Sequence, residues 1–232
     1  MEKKNFFQRA WRIIRKVFLI LFIAQFIYII LLKWMDPPIT LTQLQNWIVG
    51  NGLKRDYVDF SQMSYKAKLA VISSEDQLFP DHSGFDWKSI EKAMKYNKKK
   101  PNRIRGASTI SQQVAKNVFL WQGRDFVRKG LEVYFTKMIE WIWGKKRILE
   151  MYLNVIETGK GVFGVEAASQ AFFNKPAKKL GRREAAMIAA SLRNPKIFTV
   201  KPPSRFVLVK SISVMRQMNM LERDPDVLKI IR

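Results

Sequence analysis

The longest apolar run in this chain lies near its N-terminus, between Lys16 and Lys33. Its sixteen residues, VFLILFIAQFIYIILL, carry no charge and are apolar on all sides of a helix, whereas a core helix is apolar on one face. At about 1.5 Å per residue the run covers roughly 24 Å, and flanking apolar residues extend it towards the ~30 Å of a bilayer core. The pattern therefore predicts a transmembrane helix over residues 17–35 rather than a buried core helix.

The charges on the two sides of this segment differ, and the difference predicts its orientation. Lys33 is balanced by Asp36 just after the segment, whereas the residues before it are strongly basic. The basic residues on the N-terminal side are Lys3, Lys4, Arg9, Arg12, Arg15 and Lys16. The positive-inside rule makes residues 1–16 a cytoplasmic basic tail and places everything after Asp36 outside the cytoplasm. A cleaved signal peptide is the alternative, but Lys33–Pro38 lacks a small-x-small cleavage pattern, which favours an uncleaved single-pass anchor.

Beyond Pro37-Pro38 the pattern becomes that of a helical domain. Residues 36–64 are a polar connector with one short helix expected around Leu41–Val49, and residues 65–221 form the domain proper, followed by a C-terminal tail over 222–232. Apolar residues recur at helical spacing in several stretches of this domain. These stretches are Leu131–Ile142, Arg147–Ile156, Glu184–Leu192 and Val207–Leu221. Strand-like alternation is nearly absent, so the fold class is mainly α.

Composition narrows the class of partner. The chain has 232 residues, 47% of them hydrophobic, which is ample for a packed core. Lys and Arg number 42 against 19 Asp and Glu, giving a net charge of +23 that predicts an acidic partner. Membrane phospholipid, nucleic acid and a diphosphate-bearing substrate all satisfy this condition. The chain contains no cysteine, which excludes disulfides and thiolate chemistry.

Glu75 is the best candidate for a proton acceptor, because it follows the apolar run Leu69–Ile72 as a carboxylate at the end of a buried helix would. Asp76 is adjacent, and since neighbouring helix positions do not share a face, it is expected to cap or brace the loop. His82 is interpreted as a hydrogen-bonding loop residue in preference to a proton carrier.

The segment Gly106–Ser111, GASTIS, predicts a loop that leads into a helix. Ser108 or Thr109 can cap that helix, whose N–H groups and dipole favour a nearby anion. Gln112, Gln113 and Lys116 follow at about one helical turn. The basic run before this segment is interpreted mostly as a solvated surface.

A second carboxylate, Glu132, lies four residues after Arg128 and three after Lys129. On a helix both cations can share its face, which keeps the carboxylate charged. Glu132 therefore suits an electrostatic, orienting or metal-binding role better than an acid role, although an ordinary surface ion pair has the same pattern.

Five motifs occur in order over about residues 65–200. They are E-D-x-x-F-x-x-H-x-G-F-D at Glu75–Asp86, G-A-S-T-I-S-Q-Q-V-A-K-N at Gly106–Asn117, R-K-x-x-E at Arg128–Glu132, K-x-R-I-L-E-x-Y-L-N at Lys145–Asn154 and V-F-G-V-E-A-A-S at Val162–Ser169. Together they closely resemble the glycosyltransferase family that polymerises peptidoglycan from lipid II, in its stand-alone form. The resemblance implies a lysozyme-like helical domain with a small membrane-associated lobe, held at the bacterial inner membrane. No transpeptidase domain is expected.

The resemblance also implies roles for individual residues. Glu75 would deprotonate the acceptor 4-hydroxyl, Glu132 would be the second essential glutamate, and Lys116, Arg124 and Arg128 would contact the donor pyrophosphate. The residues expected to position the substrate are Asp76, Phe79, His82, Ser108, Thr109, Gln112, Gln113 and Asn117. A divalent cation, usually magnesium, is implied at the pyrophosphate, although no metal-ligand spacing identifies its ligands. Implied partners are lipid II, the lipid-linked glycan strand, phospholipid and cell-division or elongation proteins.

Two other functions compete with this one. A lytic enzyme of lysozyme-like fold would use Glu75 as a general acid on preformed glycan, but the cations at Lys116, Arg124 and Arg128 and the membrane anchor argue against it. A membrane-anchored scaffold would need no chemistry. Nucleic acid is not expected as its partner, because the chain has no recognisable nucleic-acid motif and its basic domain is expected outside the cytoplasm.

Overall fold

The computed structural model describes residues 2–123 and 125–232, with side chains from Phe7 onward. The helices are α1 Glu2–Leu31, α2 Leu41–Ile48, α3 Tyr65–Glu75, α4 Trp87–Lys99, α5 Ile110–Phe119, α6 Phe126–Ile142, α7 Lys145–Val155, α8 Val165–Phe173, α9 Arg182–Ser191, α10 Arg205–Leu221 and α11 Pro225–Ile231. The strands are β1 Lys54–Arg55, β2 Glu157–Gly159 and β3 Val162–Phe163. The chain divides into two compact units, Met1–Asp36 and Pro37–Arg232. The mainly helical fold class predicted from the sequence is confirmed.

The first unit is dominated by α1. Its segment Phe7–Leu31 has a mean hydropathy of 2.2 over its most apolar window, and by length and composition this segment can cross a membrane. The helix starts at Glu2 and ends at Leu31, so it includes much of the predicted basic tail and ends before the predicted limit of the span. The apolar helix expected near the N-terminus is confirmed.

The helices of the second unit begin where the sequence supplies caps. Thr40 and Gln43 form a capping box at α2, and Thr109 and Gln112 form another at α5. Ser64 accepts a hydrogen bond from the backbone N–H of Lys66 at the start of α3. Each cap satisfies a backbone N–H group that has no partner within the helix, and this fixes the residue at which the helix begins.

Two groups of helices form the packed body of this unit. In one, α9 packs against α3 and α10; in the other, α5 packs against α6 and α7. The residues Ala185–Ala190 of α9 are buried, and most of them are alanines that allow neighbouring helices to approach closely. Although α3 and α5 belong to different groups, the end of α3 and the start of α5 are in direct contact, so the two groups meet there.

A small three-stranded sheet was missed by the sequence prediction. Its order is β1-β3-β2, with β1 parallel and β2 antiparallel to β3. Gly164 follows β3 at a φ of +85°, and a Cβ at this position would lie 2.6 Å from the carbonyl oxygen of Asn154. The glycine in the fifth motif is therefore required by the backbone conformation and by a close approach of α7.

The chain does not end as an extended tail after α10. Val227 and Ile231 of α11 are buried, and α11 packs against α3. Lys68 of α3 donates from its Nζ to the carbonyl oxygen of Ile231 over 3.3 Å and lies 3.6 Å from the centre of the Phe60 ring. Burial lowers the pKa of Lys68 to about 8. The predicted tail thus contains a helix that belongs to the packed body.

Candidate active site

An open cleft of about 1390 Å³ lies between the two helix groups. Its walls come from the end of α3, α4, the segment 102–109, the start and middle of α5, Glu132 of α6, the end of α9 and the start of α10. The sequence-predicted residues that line it are Glu75, Asp76, Ser108, Thr109, Gln112, Gln113, Lys116 and Glu132. Residues from three of the five motifs therefore meet in one cavity that is large enough for an extended substrate.

Glu75 is the last residue of α3, after a run of buried residues, as the apolar pattern predicted. Its carboxylate accepts a hydrogen bond from Gln113 Nε2 over 3.0 Å. The hydroxyl of Ser74 lies 3.3 Å from the other carboxylate oxygen and also 3.3 Å from the carbonyl oxygen of Ala189. Since a hydroxyl carries one proton, Gln113 is the more constant donor to Glu75.

The surroundings of Glu75 suit a proton acceptor. Burial raises the pKa of Glu75, the hydrogen bonds from Gln113 and Ser74 and the charge of Lys210 act in the opposite direction, and the charge of Asp76 raises it further. A base is most effective when its pKa lies near the working pH, and a raised carboxylate pKa moves towards that condition.

Asp76 braces the site, as its position next to Glu75 indicated. One of its oxygens accepts from the backbone N–H of Ile110, the first residue of α5, over 2.9 Å. The same carboxylate is bonded to His82 Nε2 at 3.0 Å, and His82 Nδ1 accepts from the backbone N–H of Gly84. His82 is thus a hydrogen-bonding loop residue, and Asp76 fixes the end of α3 to the start of α5.

Phe79 and His82 do not line the cleft, although the sequence placed them among the substrate-positioning residues. Phe79 is 0% exposed and packs edge-on against the His82 ring, with Lys145 Nζ 4.5 Å from the Phe79 ring centre. Both side chains contact other protein side chains and not the cleft: Phe79 contacts His82 and Lys145, and His82 is hydrogen-bonded to Asp76. Any effect on substrate would be exerted through the residues they hold.

The start of α5 forms one wall of the cleft. Thr109 Oγ1 accepts from the backbone N–H of Gln112 and donates to the carbonyl oxygen of Gly84 over 2.7 Å. Gln112 Oε1 accepts in turn from the backbone N–H of Thr109. Thr109 and Gln112 are buried and make these hydrogen bonds, whereas Ser108 is exposed. Of the two predicted cap candidates, Thr109 is the cap, and Ser108 is free to face the cleft.

Glu132 lies at the other side of the cleft and is surrounded by cations. Arg128 Nη1 donates to one of its oxygens over 2.7 Å, and Lys129 Nζ donates to the other. Arg128 is 8% exposed and its Nε has no hydrogen-bond partner among the described residues. The i,i+3 and i,i+4 arrangement predicted from the sequence is confirmed. Unlike Glu132, Arg128 does not line the cleft, and its Nε is buried.

Lys116 of α5 completes this group. It is partly buried in the cleft wall. Burial lowers its pKa, the charge of Glu132 raises it, and the charges of Arg128 and Lys129 lower it. The four side chains of Lys116, Arg128, Lys129 and Glu132 carry a net charge of +2 when all are ionised, which is a suitable environment for a diphosphate.

Two predicted residues stand apart from this arrangement. Arg124 lies outside the described residues. Asn117 does not line the cleft: its side-chain oxygen lies 3.3 Å from Thr42 Oγ1 and accepts from Gln122 Nε2 over 3.2 Å. Asn117 therefore joins α5 to α2 within the second unit.

Several residues that line the cleft were not predicted from the sequence. From the α9–α10 side these are Arg193, Phe206 and Lys210; Arg103 and Arg105 come from the basic run that was interpreted mostly as a solvated surface. Arg105 lies 4.0 Å from the centre of the Tyr96 ring, and its backbone is held by Asn97. No local pattern distinguishes these cations from the many others in a chain of charge +23.

The fit of a metal ion can be judged from the carboxylates. Among the described residues, no three His, Asp or Glu side chains are grouped so that they could hold a metal ion. Both oxygens of Glu132 are engaged by Arg128 and Lys129. The described residues therefore offer no set of metal ligands, and a magnesium ion here would take most of its ligands from substrate phosphates and water.

Comparison with known proteins agrees with this geometry. A family model described as Transglycosylase matches residues 42–219. Proteins named biosynthetic peptidoglycan transglycosylase, from Escherichia coli and Shigella boydii, are each 54% identical over 186 residues, which is 79% of this chain and 77% of the relative. The matched region contains every residue that lines the cleft. This chain is therefore a glycosyl-transferring enzyme that belongs to the transglycosylase family.

Proposed function

We propose that this enzyme is a peptidoglycan glycosyltransferase that polymerises lipid II into β-1,4-linked glycan strands. The observation that carries the proposal is the pairing, in one cleft, of a partly buried carboxylate, Glu75, with a cation-rich group at Lys116 and Glu132. A sugar donor with a diphosphate leaving group needs both features: a base for the attacking hydroxyl and positive charge where the diphosphate departs. The names of the relatives support the choice of peptidoglycan.

Glu75 acts on the acceptor. Its carboxylate takes the proton of the 4-hydroxyl of the acceptor N-acetylglucosamine, and the oxygen attacks the anomeric carbon of the lipid-linked strand. As the new carbon–oxygen bond forms, the bond from that carbon to the diphosphate oxygen breaks, and its electron pair leaves with undecaprenyl diphosphate. One base on one side and one leaving group on the other make a single displacement, which inverts the anomeric carbon.

The cations act on the leaving group. Negative charge grows on the diphosphate as the bond breaks, and positive charge is supplied by Lys116 in the cleft wall and by Arg128, which is bonded to the cleft residue Glu132. Arg124 is proposed for the same role on its motif position alone. Glu132 holds Arg128 and Lys129 in place through its two oxygens, so its proposed contribution is to orient these cations.

Magnesium is part of the proposal as a substrate-bound ion. It would neutralise diphosphate charge when bound, with most of its ligands from the substrate phosphates and water, because both oxygens of Glu132 are held by Arg128 and Lys129. The proton transfer is assigned to Glu75, and the stabilisation of the leaving group by the protein is assigned to Lys116 and Arg128.

The test is incubation of the purified full-length chain with lipid II and magnesium. We expect polymeric glycan and released undecaprenyl diphosphate, with no products when lipid II is replaced by preformed glycan. Shortening of preformed glycan would instead support the lytic alternative, and an absence of change in either substrate would support the scaffold alternative. Sensitivity of the product to a lysozyme would establish the β-1,4 linkage.

We further propose that α1 anchors the enzyme in the inner membrane, with the N-terminus in the cytoplasm and the cleft in the periplasm. The six basic residues before the apolar segment support this orientation. It would place the cleft on the side of the membrane where strands are assembled, beside phospholipid and within reach of cell-division or elongation proteins.

A reporter fusion tests the orientation. An alkaline phosphatase fused after Arg232 is expected to be active, and a cytoplasm-dependent fluorescent reporter at the same position is expected to be dark. Removal of three basic residues together, by Arg9→Ala, Arg12→Ala and Arg15→Ala, should weaken the preference for a cytoplasmic N-terminus. A wild-type fusion with the opposite pattern would overturn the orientation and, with it, the access to lipid II.

A further inference from the structure

A chain of three polar side chains ends on Glu75. The hydroxyl of Tyr152, on α7, donates to Gln113 Oε1 over 3.1 Å, and Gln113 Nε2 donates to Glu75 over 3.0 Å. Tyr152 is 0% exposed, whereas Glu75 and Gln113 line the cleft. The three residues come from α7, α5 and α3, so these two hydrogen bonds join both helix groups at the point where the cleft begins.

The middle member of this chain has two unlike ends. A glutamine amide presents an oxygen that accepts and a nitrogen that donates, and a rotation of 180° exchanges them. If the oxygen faced Glu75, two acceptors would oppose each other and the carboxylate would lose its donor. The orientation of Gln113 therefore decides whether Glu75 is stabilised or repelled by its neighbour.

The Tyr152 hydroxyl favours one of these orientations. Burial, together with the charges of Glu75 and Asp76, raises the pKa of Tyr152 well above its ordinary value, so the phenol stays protonated at any working pH. A protonated phenol donates its hydrogen, and the amide end that can receive it is the oxygen of Gln113. The nitrogen is then directed to Glu75.

We propose that Tyr152 is a positioning residue for the base: through Gln113 it fixes the direction of the hydrogen bond that Glu75 receives. The proposal rests on the proposed function in that it takes Glu75 as the proton acceptor. It adds that the ability of this carboxylate to accept a proton depends on a buried tyrosine that does not line the cleft and would not contact the substrate. It also accounts for the polar hydroxyl of Tyr152 between the buried apolar residues Met151 and Leu153 of α7.

Other charges also act on Glu75 and must be held constant in a test. Asp76 follows it in the chain, Lys210 faces it from α10, and Lys116 of α5 and Arg193, after α9, line the same cleft. None of these groups is hydrogen-bonded to Tyr152. A change confined to the Tyr152 hydroxyl therefore alters the amide without removing a charge.

Tyr152→Phe is the variant that tests the proposal, because it keeps the buried ring and removes the hydroxyl. Tyr65→Phe is the matched control: Tyr65 donates to Glu222 over 3.0 Å on an exposed surface. We expect Tyr152→Phe to lower kcat/KM on the acidic limb of the pH profile by roughly fivefold, the effect of weakening one hydrogen bond to a charged group. The alkaline plateau and KM should stay within about twofold of wild type, and Tyr65→Phe should change neither.

Direct titration of Glu75 separates this inference from the proposed function. In full-length protein labelled with carboxyl-¹³C glutamate and held in micelles, the Glu75 signal is assigned by its loss in Glu75→Gln. Its midpoint should move to higher pH in Tyr152→Phe, and Tyr152→Phe should add nothing in a Gln113→Leu background. A midpoint that moves while polymerisation is unaffected would contradict the base role of Glu75 and leave the positioning intact.

Two results would overturn the inference. One is a Glu75 midpoint in folded Tyr152→Phe that equals that of Tyr65→Phe. The other is a shift of the Glu75 midpoint, caused by Tyr152→Phe in the Gln113→Leu background, that equals the shift caused by Tyr152→Phe in the wild-type background. If Tyr152→Phe does not fold, the wild-type protein decides: the side-chain ¹⁵N–¹H signals of Gln113 should move as Glu75 titrates, because its amide nitrogen donates to that carboxylate. Gln113 signals that are insensitive to this titration would contradict a fixed orientation.

Discussion

Glu75→Gln is expected to abolish polymerisation of lipid II while the fold and substrate binding are retained. The side chain keeps its shape and its contact with Gln113, but a neutral amide cannot accept the proton of the attacking hydroxyl. Positioned base catalysis contributes roughly 10²–10⁴-fold to rate, so turnover should fall by at least that factor with KM little changed. The measurement is steady-state polymerisation of lipid II, with binding measured separately at equilibrium.

The pH dependence follows from the direction of the Glu75 shift. Burial raises its pKa, and the base is active only when ionised, so wild-type activity should fall as pH falls through this raised pKa. The free energy of unfolding depends on pH in the opposite direction to the activity. An acid whose pKa is raised on folding binds its proton more tightly in the folded state, which loses stability as pH rises through that pKa. Glu75→Gln should therefore melt at or above the wild-type temperature at neutral pH.

Glu157→Gln is a suitable control for this experiment. Burial also raises the pKa of Glu157, which accepts from the backbone N–H of Gly161 but does not line the cleft. It should retain near-wild-type turnover if folded. Near-normal turnover by a folded Glu75→Gln would remove Glu75 from the base role, and equal losses in both variants would show that the effect is structural.

The parts of this molecule that the sequence predicted are those determined by neighbours along the chain. Helical periodicity located α6, α7, α9 and α10, because a helix face repeats every three to four residues. The same spacing predicted that Arg128 and Lys129 would meet Glu132, which the two hydrogen bonds confirm. Glu75 was recognised as the end of a buried helix because the apolar run before it is local.

The parts that were missed depend on packing between distant segments. The strands are two or three residues long, too short for alternation to be visible. Lys210 and Phe206 reach the cleft because α10 packs against α9 and α3, and nothing near them in sequence indicates this. Phe79 was assigned to the substrate through its motif, whereas its neighbours bury it completely. A motif identifies which residues matter and leaves open which of them face the ligand.

The cationic side of the cleft is the second feature whose removal should have a large effect. Lys116→Ala and Arg128→Ala are each expected to lower turnover by ~10²–10³-fold, or roughly 3–4 kcal/mol, because each removes positive charge where the diphosphate departs. Turnover should fall more than apparent affinity, since the leaving group carries more charge in the transition state than in the bound substrate. Arg124→Ala tests the third motif position in the same assay.

Arg128 offers the sharper test, because its guanidinium has donors in more than one direction. Nη1 is held by Glu132, while Nε has no partner among the described residues. A lysine can keep the charge and the bond to Glu132 but cannot offer donors to both Glu132 and phosphate in a fixed geometry. Arg128→Lys should therefore recover only part of the lost turnover, and full recovery would mean that charge alone is required.

A matched control is needed because Arg128→Ala also removes an ion pair from Glu132. Lys95→Ala breaks an i,i+4 pair with Glu91 over 2.5 Å, where both side chains are more than half exposed. It should leave turnover unchanged, since exposed pairs contribute little to stability. Each variant is first checked by thermal melting. If folded Lys116→Ala, Arg124→Ala and Arg128→Ala all polymerise lipid II at the wild-type rate, the diphosphate does not bind at Glu132, and the cations at the α9–α10 side of the cleft become the candidates for that role.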